Sequence, residues 1–327
     1  MDGAVFPGVR ARAGMYESFY LRAVSPHEPI GVWIRHTVHK PPGHPASGSV
    51  WCTVFDARRG RPFMHKVSGL PLSVDPGGWI NVGESATMGP GTAEGRCGPA
   101  SWSVRFSSEE APLRHLSPEW LYRAPVPRTK LTSPAPAARF DGSLELDGRA
   151  PIELAGWRGM VGHNWGAEHA ERWIWLHGIG FAEEPDAWLD VALGRLRIAG
   201  RMTPWIANGA LSLDGRRRRI GGIAARGTSV AEDARGATIK LAGEDRLSLR
   251  ARVSVPGESA AGWRYADPDG GEHDVVNCSI ARLELSIPDG EDGGAPARTL
   301  TSPHGGVYEL GMRERDHGVP LAPFADG

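Results

Sequence analysis

The sequence predicts an all-β fold, built as closed barrels or strongly curved sheets. Three observations carry this. Short apolar segments with alternating polar positions recur between turn signals. The 44 Gly and 27 Pro among 327 residues are spread along the chain, as turns between many short strands require. No sustained apolar stripe of helical period runs anywhere in it.

Gly31 to His39 is rich in β-branched residues and reads as a strand. Val50 to Asp56 reads as the next, and Pro41, Pro42 and Pro45 fill the loop between them. Trp102 to Phe106 alternates as a half-buried strand does. Phe140 to Gly148 reads as a short strand between two Asp-Gly turns. The Pro-rich stretch from Ala124 to Ala138 predicts an extended strap crossing between sheets. Beyond it, strands are expected over Trp173 to Phe181, Ala187 to Ile198, Gly209 to Leu213 and Ile239 to Leu241. Leu247 to Val255, Cys278 to Ile287 and Gly306 to Glu314 complete the set. Asp214-Gly215, Asp269-Gly270 and Asp289-Gly290 mark turns. Only Pro118 to Tyr122 and Trp165 to Arg172 read as short helical turns. No internal repeat is evident. The two expected halves, 1–150 and 151–327, divide after the Asp-Gly hairpin near residue 150.

Composition excludes several function classes. A formal net charge of -1 gives no electrostatic footprint for nucleic acid or an anionic membrane. The run Arg216 to Arg219 follows a turn signal and reads as a solvated hairpin arm. Met1 to Tyr20 lacks the apolar core of a signal peptide. No apolar run reaches the roughly 18 residues of a membrane span. Cys52, Cys97 and Cys278 are widely spaced, which fits reduced thiols and a cytoplasmic setting. Cys278, with no base beside it in sequence, reads as a small buried apolar residue. No glycine-rich phosphate loop and no Gly-x-Ser-x-Gly elbow is present.

The chemistry concentrates between Gly156 and His177. This segment holds Trp157, Trp165, Trp173 and Trp175 together with His163, His169 and His177. Titratable groups interleaved with large aromatics suit acid–base work on an apolar substrate. Aromatic faces attract a developing cation, and a carboxyl or imidazole moves the proton. The same residues also serve as core aromatics with their N–H groups satisfied. A metal is not expected: His163, Glu168 and His169 match no metalloprotease spacing, and the adjacent Glu168 and His169 point different ways.

Gly162-His163-Asn164-Trp165-Gly166 resembles the Asp-His-x-Trp-Ser/Gly motif of the carotenoid 1,2-hydratase (hydroxyneurosporene synthase) family. That family is similar to AttH-like proteins, tocopherol cyclases and certain fungal Diels–Alderases. The resemblance implies two lipocalin-like domains meeting around an apolar cavity. It implies Asp190, in Trp188-Leu189-Asp190, as the acid, His163 as its orienter or the water handler, and Trp165 as the cation stabiliser. Gly162 stands where the motif has Asp, and Trp188 where Tyr is expected.

Further binding candidates are Asn164, Glu168, His169, Trp157, Trp173, Trp175 and Trp188. Trp205, Asn208, Tyr265 and His273 join them from the second half. Tyr308-Glu309 and Asp316-His317 carry weaker signals. Two functions are expected to compete. One is a cofactor-independent hydratase, cyclase or isomerase acting on an isoprenoid- or polyketide-like substrate. The other is a lipocalin-like carrier of a lipid or other apolar ligand. The enzyme predicts a buried carboxyl, Asp190 or Asp267, beside His163 with a strongly raised pKa, and the carrier predicts apolar walls with no such acid. The sequence leaves the oligomeric state open.

Overall fold

The computed structural model describes residues 3–223, 225–288 and 298–324. Strands dominate, and the only helical pieces among the described residues are two short 3-10 turns, Phe6–Gly8 and Glu119–Tyr122. The strands form two large antiparallel sheets. The first curls into a nearly closed barrel, and the pair matches two barrel-like domains.

The first sheet's path runs from Phe63–Leu70 through Ser47–Asp56, Ile30–Lys40 and Met15–Val24 to Trp157–Gly166. Thr129–Leu146 and Ala100–Ser107 continue it. The second sheet is centred on Arg172–Gly178, Arg298–Met312 and Glu272–Ile287. On its other side Trp188–Arg195 and Ile206–Leu213 pair in turn.

Strand alternation explains how the halves meet. In Ile30–Lys40, Val32, Ile34 and Val38 enter the first barrel's core. Trp33, on the opposite face, joins the core of the second sheet. Met15–Val24 is buried along its whole length because both of its faces are covered.

Three local expectations need correction or limits. No helical turn forms over Trp165–Arg172, since Trp165 and Gly166 end a ten-residue strand that pairs on both sides. The strap expected over Ala124–Ala138 is instead mostly strand from Thr129 onward. Pro134 and Pro136 are accommodated where that strand's register against Trp157–Gly166 shifts, since they cannot donate to the ladder. The Asp289-Gly290 turn lies outside the described residues. The Glu119–Tyr122 turn and the Asp214-Gly215 turn form as the sequence predicts. Cys52, Cys97 and Cys278 are free and buried. The first sheet takes in Trp157–Gly166 and the second begins at Arg172, so the chain changes sheets over residues 167–171. Among the described residues no helix is long and apolar enough to cross a membrane.

Candidate functional site

A cavity of about 310 Å³ lies between the two sheets. The first sheet contributes Tyr16, Tyr20, Arg35 and Asn164, and the second contributes Trp173, Trp175, Asn208, Tyr265 and Glu309. His169 comes from the connection between the sheets. Leu121, from the Glu119–Tyr122 turn, and Leu116, Val126 and Ile223, from loops, add apolar surface. Concave, mainly apolar walls with a few convergent polar groups are what a small-molecule site needs.

His169 is the best-held titratable group on these walls. Its ring stacks on Tyr16 at 3.9 Å and on Trp173 at 5.3 Å. Nδ1 donates to Asp267 Oδ1 at 2.7 Å, and the His169 backbone N–H donates to the same oxygen at 2.8 Å. Nε2 has no protein partner. An Asp that accepts from Nδ1 fixes the tautomer and leaves Nε2 with its lone pair. Burial pushes the Asp267 carboxyl up, but the His169 bonds outweigh it and hold the carboxyl below its usual range. His273 sits behind this pair, with Nδ1 3.7 Å from Asp267 Oδ2. Burial, helped by the nearby His169, brings His273 down to about 4.

Glu309 is the carboxylate on the cavity wall. It accepts from Trp173 Nε1 at 3.0 Å, from Asn277 Nδ2 at 3.0 Å and from the Tyr265 hydroxyl at 3.4 Å. Only the weak Tyr308-Glu309 signal had marked it in the sequence.

Of the residues singled out in the sequence, Asn164, His169, Trp173, Trp175, Asn208 and Tyr265 line the cavity. His163, Trp165 and Trp157 do not. Asn164 faces the cavity, and strand alternation turns its odd-numbered neighbours into the first barrel. There His163 Nε2 lies 2.8 Å from Glu17 Oε1, and its ring is sandwiched between Phe19 and Trp165. Glu17 also accepts from the backbone N–H groups of Val5 and Phe6, so the pair ties down the N-terminal turn. Glu168 pairs with Arg128 at 2.7 Å, Trp188 is fully buried in the second core, and Trp205 packs against that core.

Asp190 lies behind Trp175, whose Nε1 donates to it at 3.1 Å. Ser133 Oγ donates at 2.5 Å, and His115 Nε2 approaches to 3.2 Å. The raised carboxyl pKa expected from the sequence is found at neither Asp190 nor Asp267. Burial pushes Asp190 up, but His115, His177 and Ser133 prevail and bring it down to about 2. Neither Asp190 nor Asp267 partners His163, because Glu17 holds that imidazole.

Gly162 has a steric reason for departing from the motif's Asp. A Cβ there would lie 2.2 Å from Tyr20 Cζ. The Tyr20 ring fills the space an Asp side chain would take, and it forms part of the cavity wall.

No family model matches the chain. An uncharacterized protein of Mycobacterium tuberculosis, Rv0493c in strain H37Rv and MT0513 in strain CDC 1551, is 26% identical over 326 residues. The match covers 95% of this chain and 90% of the relative. CghA, solved with Sch210972, superposes with a TM-score of 0.61 at 13% identity, covering 91% of this chain and 88% of that one. Kievitone hydratase from Nectria haematococca gives 0.54 at 10% identity, over 92% and 89% of the two chains. An AttH protein (NE1406) from Nitrosomonas europaea gives 0.52 at 12%, over 92% and 93%. The chain therefore shares the fold of CghA, kievitone hydratase and the AttH protein.

Proposed function

We propose that this protein is a cofactor-independent acid–base catalyst, a hydratase, cyclase or isomerase, acting on an apolar isoprenoid- or polyketide-like molecule. The observation that carries this is the His169–Asp267 pair at the wall of a mainly apolar cavity. His169 Nε2 takes or returns the proton, and Asp267 holds the ring and stabilises the imidazolium that forms. Trp173 and Trp175 offer faces to a developing cation. Glu309 and the Tyr265 hydroxyl supply the second polar pole. Asp190 and His163 act at a distance from the reacting atoms. Asp190 orients Trp175, and His163 anchors the chain before Met15. The hydratase in one structural neighbour's name agrees with this reading.

The test starts with organic extraction of the purified protein and mass spectrometry of the extract. Any recovered molecule is then incubated with the protein in D2O. The proposal expects deuterium uptake or a new product with the parent, and at least a hundredfold slower reaction with His169→Asn. A recovered molecule that stays chemically unchanged with the parent would instead establish a lipid carrier, the reading favoured by the apolar walls alone.

A further inference from the structure

The cavity wall carries a guanidinium with no carboxylate of its own. Arg35 stands in the middle of Ile30–Lys40 and is only 5% exposed. Its Nε donates to Ser18 Oγ at 2.6 Å. Its guanidinium carbon lies 4.1 Å over the Tyr265 ring and 5.3 Å over Trp51. Nη1 has no partner, and Arg35 makes no ion pair among the described residues. Glu309 is engaged by Trp173, Tyr265 and Asn277 instead.

A second buried arginine shows the contrast. Arg22 also lacks a carboxylate, but its Nη2 donates to the backbone carbonyls of Ser279 and Gly306, and it does not line the cavity. Among the described residues Arg35 has no backbone acceptor, and it does line the cavity. Burying a charge without a counter-charge is costly, and aromatic faces offset only part of that cost. The planar fork of Arg matches a carboxylate with two parallel hydrogen bonds. Beyond it the cavity walls are mainly apolar, with His169, Asn164, Asn208 and Glu309 among the polar exceptions.

We infer that the cavity takes an apolar molecule bearing a carboxylate, with the carboxylate seated on Arg35. This rests on the reading of the cavity as a substrate site, and it narrows the substrate to an apolar acid. The acid end is fixed at Arg35, and the hydrocarbon body lies among Tyr20, Trp173 and Trp175. His169 reaches the same space from the connecting segment.

The test compares decanoate with 1-decanol, followed by quenching of tryptophan fluorescence and by calorimetry at neutral pH. Decanoate is expected to bind the parent at least tenfold more tightly than decanol, since charge-assisted hydrogen bonds exceed neutral ones. In Arg35→Gln the preference is expected to vanish while decanol affinity holds. Equal affinities in the parent would overturn the inference, as would a preference that survives in Arg35→Gln. Binding of decanol alone would remove the carboxylate but leave the cavity as an apolar site. Binding of neither would remove both readings. The parent comparison stands without the variant, and circular dichroism checks that Arg35→Gln is folded.

Discussion

His36 shows what burial alone does to a titratable side chain in this protein. It is fully buried, both ring nitrogens lack partners, and its ring meets Trp102 edge-on. Burial brings its pKa down to about 4, against about 6.5 in an unfolded chain. As pH falls through that window, the unfolded chain takes up a proton that the folded chain refuses. The folded state therefore loses stability as pH falls, by about 1.4 kcal/mol per pH unit for this group. His36→Leu removes the term. Its advantage over the parent is expected to grow by about 2 kcal/mol between pH 7 and pH 5, measured by urea unfolding at both. A gap that does not change with pH would mean that His36 takes up its proton in the fold as readily as in the unfolded chain. Single residues of the site were partly legible for a related reason. Trp and His density between Gly156 and His177 pointed to His169, Trp173 and Trp175, which do line the cavity. Arg35 was hidden, and Glu309 only weakly marked, because each is one charge inside an apolar strand, and sequence does not show which way it faces.

Strand elements were legible wherever one face alternates with a polar one, as in Trp102 to Phe106 within Ala100–Ser107. Met15–Val24 was missed because Glu17 and Arg22, both fully buried, interrupt its apolar pattern. Trp157–Gly166 was missed because its two interior glycines, Gly159 and Gly162, and its polar motif hide the alternation. At this scale Gly311 makes the sharpest demand. It pairs with Trp173 across the ladder, and a Cβ on it would lie 2.1 Å from Trp173 Cε2. The absent side chain is the seat of the indole that donates to Glu309. Gly311→Ala is expected to cost about 1–3 kcal/mol by overpacking. Trp173→Leu in the same chain should recover part of that loss, because the clash disappears with the indole. A double-mutant cycle by urea unfolding reads the coupling directly. Additive losses would show that the backbone yields before Trp173 does.

The two halves are joined by an interface that is both apolar and charged. Trp33 and Trp51 of the first sheet pack on Trp263 of the second, with Trp51 and Trp263 centroids 4.9 Å apart. The sheet change over 167–171 is where we propose to divide the halves, in place of residue 150, since Trp157–Gly166 pairs within the first sheet. The family resemblance implied two halves, but not that the motif strand pairs within the first sheet. Within this interface Arg22 is fully buried, and its Nε and Nη1 find no partner. Burial pushes its guanidinium down to about 9. Two backbone carbonyls across the interface are its whole compensation. An ion taken from water keeps a penalty of several kcal/mol, whereas two hydrogen bonds from a charged donor return about 1.5–3 kcal/mol each. The balance is close, and a well-packed apolar side chain avoids the penalty. Arg22→Met is therefore expected to be as stable as the parent or more so, by up to about 3 kcal/mol in urea unfolding. A loss greater than about 2 kcal/mol would mean that the two carbonyl bonds outweigh the buried charge. Arg22 would then be the polar pin that sets how the sheets meet around the cavity.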